Sequence, residues 1–216
     1  MRLMAVMAHP DDAEIWCGGT LSLHVEKGDE VRICTLSYRG DSIRGREARE
    51  GAKRMGCEVE CLGFEDTRVR DTDSTVESLK KSLESFDPDF IITHWFDDMH
   101  PDHEAVFLIL RRTLVSNFLD KPLETLKPAP QVFSCDTYSS LGIHGPFEPH
   151  QRVDVTGMWE RKMEAIHAHE SQPLEFYLNM IKLQCRVHGK AAGTTFAEAF
   201  IRVPLFGNLD EIVKLG

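Results

Sequence analysis

The chain has 216 residues, 42% of them hydrophobic and 28% charged, a balance that suits one compact unit burying roughly 70% of its unfolded surface. Its 25 Lys and Arg against 35 Asp and Glu leave a formal charge of −10, with no basic stripe beyond the mixed stretch 39–54, so nucleic acid is excluded as a partner. The opening apolar run is too short for a signal segment and no later run approaches bilayer length, so a soluble, cytoplasmic protein without membrane insertion is expected.

Apolar runs of strand length at 3–8, 30–36, 58–62 and 90–93 alternate with helical patterns at 14–27, 44–55 and 74–85. Gly28-Asp29, Gly56 and Asp87-Pro88 fall where those helices should stop. A further helix at 104–119, a Pro-bearing connection at 121–130 and a strand at 131–135 continue the pattern. Beyond it the spacing reads as a strand at 151–155 and helices at 158–169 and 173–187, while 198–203 has no clear period. The alternation predicts an α/β fold of three-layer, Rossmann-like type, a mostly parallel central sheet with helices on both faces. No internal repeat interrupts it, so a single domain spanning 1–216 is expected. Cys17, Cys34, Cys57, Cys61, Cys135 and Cys185 form no C-x-x-C pair and read as reduced, buried small hydrophobes.

Two polar clusters break this apolar plan. His9-Pro10-Asp11-Asp12 follows the first strand and His100-Pro101-Asp102-His103 follows the fourth. Right-handed crossovers bring the carboxyl ends of those strands to one edge of the sheet, where open α/β sheets bind ligands. Buried carboxylates disfavour folding unless compensated, and a metal cation compensates one imidazole and two carboxylates at once. His9 and Asp12, three residues apart, can converge on one ion, and His103 can complete a His₂Asp set suited to Zn²⁺, with Fe²⁺ or Co²⁺ as other occupants. Asp11, adjacent and unligated, is then placed as general base. His100, held or charged by Asp102, can stabilise an oxyanion or protonate a leaving amine. Together these roles describe metal-dependent amide hydrolysis.

The motif His9-Pro10-Asp11-Asp12-Ala13-Glu14, followed by Gly18-Gly19-Thr20, resembles the signature of the LmbE-like/PIG-L family of zinc-dependent N-deacetylases, and His100-Pro101-Asp102-His103 resembles its second motif. The likeness extends to the Arg46–Gly56 helix, to Leu62-Gly63-Phe64-Glu65-Asp66, and to His169-Glu170-Ser171-Gln172 and Ala197-Glu198-Ala199-Phe200. It implies His9, Asp12 and His103 as zinc ligands, Asp11 as base, and His100 paired with Asp102 as transition-state stabiliser. It also implies a small-molecule N-acetylglucosamine derivative as substrate, with Arg46 reaching a substrate oxygen and Asp66 accepting from a sugar hydroxyl. Some members place a Tyr shortly before the second motif; Trp95-Phe96-Asp97-Asp98-Met99 stands there instead, so no tyrosine role carries over. A homo-oligomer is expected because symmetric assemblies are common among soluble enzymes.

Alternatives stay open on sequence alone. Asp12 could simply cap the following helix, and Gly18-Gly19 could face a phosphate or pack a helix closely. His150, His167 and His169 are assigned to no metal. A nucleotide-binding α/β module lacks its Gly-rich fingerprint here, and an inactive metal-binding relative would have no use for Asp11.

Overall fold

The computed structural model describes residues 1–119 and 129–205, so most of the expected connection at 121–130 lies outside the described residues. Seven strands, β1 (Arg2–Met7), β2 (Glu30–Ser37), β3 (Glu58–Phe64), β4 (Phe90–Thr93), β5 (Gln131–Cys135), β6 (Gln151–Asp154) and β7 (Ala197–Val203), form one sheet in the order β3-β2-β1-β4-β5-β7-β6. The first five run parallel, and β7 lies antiparallel between β5 and β6. The helices are α1 (Asp12–Glu26), α2 (Ile43–Met55), α3 (Asp73–Phe86), α4 (Pro101–Leu119), α5 (Trp159–Ile166) and α6 (Leu174–Ala192).

Central strand β1 shows why the sheet reads as an unbroken apolar run. Leu3, Ala5 and Met7 face the core shared with α1, α2, α5 and α6, while Met4, Val6 and Ala8 face the core shared with α3 and α4. Side chains alternate between faces, and here both faces are covered, so the polar half of the usual alternation is missing. The three layers follow directly: helices, sheet, helices.

Helix ends differ from the sequence expectation where polar residues serve the turn. α1 starts at Asp12, earlier than expected, with Asp11 at its N-cap making no side-chain cap bond, so capping is not what Asp12 does. α4 starts at Pro101, since a first-turn proline loses no helical hydrogen bond. α2 opens on Ser42, whose hydroxyl accepts from the Gly45 amide, and closes on Gly56 in the left-handed region at φ 83°. α6 continues to Ala192, past the expected end. The segment 198–203 belongs to a full strand, β7, covered on both sides by β5 and β6. Gly19 packs closely, as a Cβ there would lie 2.7 Å from Val155 Cβ. All six cysteines are unbridged, and among the described residues no helix is long and apolar enough to cross a membrane.

One buried ion pair ties three elements together. Lys162 Nζ on α5 donates to Glu198 Oε1 on β7 at 2.5 Å and to the Ile15 carbonyl of α1 at 2.7 Å. Glu198 in turn accepts from the Gly19 and Thr20 amides and the Thr20 hydroxyl at 2.9, 2.7 and 2.6 Å. Burial opposes the lysine charge, yet the Glu198 carboxylate outweighs it and raises the Lys162 pKa. Removing one partner leaves the other charge stranded, so Lys162→Met should destabilise by about 3–5 kcal/mol in urea unfolding. The Lys162→Met/Glu198→Gln double variant should lose less than the sum of the two single changes; strict additivity would show that the pair does not act as a unit.

Candidate active site

Because β1 and β4 are neighbours, their carboxyl ends deliver both polar clusters to the same point of the sheet edge. Asp12, in the first turn of α1, is only 3% exposed. Its Oδ2 accepts from the His9 amide at 2.7 Å and lies 3.1 Å from His9 Nδ1 and 3.2 Å from His94 Nε2. Its Oδ1 lies 3.4 Å from His103 Nε2. Ligand atoms of His9, Asp12 and His103 all fall within 4.8 Å of one another.

A carboxylate orients His103. His103 Nδ1 sits 2.9 Å from Asp98 Oδ2, which also accepts from the Thr137 hydroxyl at 2.7 Å, while Asp98 Oδ1 accepts from the His100 amide at 2.8 Å. That holds His103 Nε2 toward Asp12, buried and without a hydrogen-bond partner. His9 Nε2 lies 3.1 Å from Asp66 Oδ1 and 3.4 Å from Asp102 Oδ2, attracted by both but aligned for a hydrogen bond to neither. His94, which directly follows β4, stacks on His103 with ring centroids 3.7 Å apart and accepts from the Ala8 amide at 3.0 Å.

Electrostatics separates these groups. Burial alone would discharge His9 and His103, but Asp12 and the second carboxylate beside each ring raise them to about 10 and about 9. Burial opposes ionisation of Asp12 as well, and His103, His9 and His94 outweigh it, holding the carboxyl well below its usual range. His94 is pushed the other way, to about 4, by burial and by His103. Two imidazole nitrogens and one anionic oxygen converging on one point, one of the nitrogens orphaned, fit a divalent cation of zinc type, which would replace the imidazolium protons as counter-charge.

Asp11 stands outside that trio. Its Oδ1 accepts from Arg44 Nη2 at 2.5 Å. Burial and Asp12 raise its pKa, while Arg44 and His169 pull it back, and the net shift is upward. Beside it Glu14 and His169 form a second buried pair, 3.3 Å apart, apart from the candidate ligand groups.

Two expectations need correction. Arg46 is exposed and donates to the Asp41 carbonyl rather than reaching the cluster. Two residues rotate about 200° around a helix, so Arg44 faces the site where Arg46 cannot. Arg44 lies 4.8 Å over the Tyr38 ring and 4.0 Å from Asp66 Oδ2, and the Tyr38 hydroxyl donates to Asp66 Oδ2 at 2.6 Å. Asp66 lies beside His9, in a polar wall with Tyr38 and Arg44. The second correction concerns Asp102: its carboxylate lies 3.4 Å from His9 Nε2, and the hydrogen bond to His100 comes from its backbone amide, donating to Nδ1 at 3.2 Å. Burial and the His103 and His9 rings lower the His100 pKa, so that imidazole stays neutral rather than being charged by Asp102.

Arg44, His94, Asp98 and Thr137 escaped the sequence reading, and so did two tyrosines. Tyr138, just past β5, lies 12° from parallel to His103 at 6.0 Å and edge-on to Trp16 at 5.0 Å. Tyr177 on α6 comes near Tyr138, and burial together with the charges of Asp11 and Asp12 raises its pKa. The available signal was position: 94, 98 and 138 all follow strand ends at the same edge.

Residues 4–114, which include both clusters, Arg44 and Asp66, match the model of PIG-L, GlcNAc-PI de-N-acetylase. The chain belongs to the PIG-L family. Among curated proteins it is similar to the uncharacterized deacetylase YaiS of Escherichia coli, 29% identical over 61% of this chain and 80% of that one. It is also similar to a probable N-acetyl-alpha-D-glucosaminyl L-malate deacetylase 2 of Bacillus cereus, 26% identical over 79% of this chain and 83% of that one. In fold it is similar to GalB, the 4-carboxy-2-hydroxymuconate hydratase of Pseudomonas putida, with TM-score 0.82 at 22% identity over 98% and 99% of the two chains. Tyr138 and Tyr177 lie beyond the stretch matched to the PIG-L model.

The geometry around Asp98 makes one prediction. Asp98→Asn keeps the shape but weakens the grip on His103 Nδ1, so Zn²⁺ affinity measured by chelator competition should fall by about 10–100-fold. Unchanged affinity would mean that His103 is not a ligand or that Asp98 does not orient it.

Proposed function

We propose that this chain is a metal-dependent N-deacetylase that removes the acetyl group from an N-acetylglucosamine-containing small molecule. His9, Asp12 and His103 would hold one divalent cation, zinc on the chemistry of the donors. The observation that carries the reading is Asp11: a buried, unligated carboxylate beside that trio, with its pKa raised by burial and by Asp12 and its position fixed by Arg44. A general base works best when its pKa approaches the working pH. Family membership and the deacetylase relatives support the same reaction class. The likeness to GalB concerns the fold and carries no reaction over.

Bound there, a cation supplies Lewis-acid activation of water and of the acetamide carbonyl. The remaining steps belong to the side chains. Asp11 takes the proton from the attacking water as the new C–O bond forms. His100 accepts at Nδ1 from the Asp102 amide, so its Nε2 carries the hydrogen and donates to the oxyanion that develops on the former carbonyl oxygen. As the C–N bond breaks, Asp11 returns its proton to the leaving nitrogen, giving acetate and the free amino sugar. Tyr38, Arg44 and Asp66 offer donors and an acceptor for sugar hydroxyls on one side of the site.

Asp11→Asn tests this directly, because the amide keeps the shape but cannot take a proton. The variant should bind Zn²⁺ like the parent and lose acetate release by ~10²-fold or more. Arg44→Ala should lower activity while Arg46→Ala leaves it unchanged. Full turnover by Asp11→Asn would remove Asp11 as the base, and loss of metal with it would make Asp11 a ligand.

A further inference from the structure

We propose that the amino sugar taken by this site carries an anionic oxygen group, a carboxylate or a phosphate, and that Arg70 receives it. The inference rests on the N-deacetylase reading and deepens it. Arg70 is joined to the site by contact. Its Nη1 lies 3.5 Å from Asp102 Oδ1, and the other oxygen of that fully buried carboxylate lies 3.4 Å from His9 Nε2. Arg44 reaches the same His9 nitrogen by another route, through Asp66, whose Oδ1 is 3.1 Å from His9 Nε2 and whose Oδ2 is 4.0 Å from Arg44 Nη1. The two guanidiniums differ in what they have left to offer. The Arg44 side chain is 14% exposed and donates to Asp11, whereas that of Arg70 is 59% exposed.

The charges around Arg70 single it out. Glu65 accepts from Arg68 at 3.4 Å, Asp66 accepts from the Tyr38 hydroxyl, and Asp71 and Asp73 both accept from Arg112 of α4, the first at 2.9 Å. Arg70 has no hydrogen-bonded carboxylate among the described residues, since Asp102 Oδ1 sits beside it without a hydrogen bond to it. Its own loop holds the guanidinium instead, Nη1 donating to the Val69 carbonyl at 2.6 Å and Nη2 to the Thr67 carbonyl at 3.4 Å. That loop is fixed in turn. The Val69 side chain is buried in the core shared with α3 and α4, and the Arg70 carbonyl accepts from the Thr75 hydroxyl at 2.8 Å. A guanidinium presents five N–H groups in a planar fork, so the two given to these carbonyls leave donors for a ligand on a side chain already ordered. A sugar hydroxyl would gain only ordinary hydrogen bonds there, whereas a carboxylate or phosphate gains charge-assisted and bidentate ones.

The test compares the neutral methyl glycoside of N-acetylglucosamine with its carboxymethyl glycoside and its 1-phosphate on the metal-loaded full chain. KM is taken from acetate release, and Kd from calorimetry where no acetate is released. At least one of the two anionic compounds should bind about three- to tenfold more tightly than the methyl glycoside, and the tighter of them names the group. Arg70→Gln should bring that ratio to about one, Arg70→Lys should keep part of it, and Arg68→Ala should keep it whole; a ratio between ligands is not moved by a general loss of folded or loaded protein. Equal binding of all three with acetate still released overturns the anion subsite and leaves the deacetylase reading standing. A ratio that survives Arg70→Gln, or that falls equally with Arg68→Ala, overturns the assignment to Arg70. An Arg70-dependent ratio without acetate release from any of the three sinks the reaction and keeps the anion subsite.

Discussion

The arrangement of this molecule turns on the burial of one carboxylate. Asp12 lies at the junction of β1 and α1 with almost no access to water, where an uncompensated charge would be too costly to fold around. Its oxygens are met by the His9 amide and by His9 and His94, which follow the ends of β1 and β4, and by His103 from the first turn of α4. The parallel order of β1 and β4 is what makes this possible, because two carboxyl ends must be side by side. A compensated buried anion with converging imidazoles is also a cation site, so the stability problem and the chemistry share one solution.

Around that centre the polar contacts extend outward in a connected series. Asp98 orients His103, Thr137 bonds Asp98, and Asp136 next to it bonds His188 and Gln184 on α6. The loop carrying Tyr138 is thereby fixed to a distant helix, and Ser139 and Ser140 accept positive φ values of 56° and 54° to keep it there. Tyr38 of the polar wall and Thr67, which directly follows Asp66, are likewise left-handed at 61° and 63°. Strained non-glycine residues persist only where the surroundings over-determine them, and four of the five among the described residues lie at the edge that carries the site, Asp87 at the end of α3 being the other. On the opposite side of α1, Lys162 and Glu198 lock the helix that presents Asp11 and Asp12.

Much of this was legible in the sequence for a physical reason. Strands buried on both faces appear as continuous apolar runs, and charge placed directly after such a run stands out, as at His9 to Asp12 and His100 to His103. Residues whose role depends on rotation or on a distant partner were not legible. Arg44 and Arg46 are equivalent in composition and differ only in which way the helix turns them. Asp98 lies in a stretch that reads as an ordinary loop, and only the fold shows it buried against His103. Asp102 sits two residues from His100 in sequence, whereas the first turn of α4 brings its carboxylate to His9. Tyr138 and Tyr177 come from elements far along the chain, so no local pattern could bring them to the cluster.

The central claim is that one cation, held by the buried His9, Asp12 and His103 trio, is required for amide hydrolysis beside Asp11. Titrating metal-free protein with Zn²⁺ while recording acetate release from an N-acetylglucosamine glycoside tests it most directly. The account predicts no release from the metal-free chain, a linear rise to one equivalent per chain and a plateau beyond it, with the His103→Ala variant inactive throughout. Full acetate release in excess chelator, or the same titration curve from His103→Ala, would contradict it.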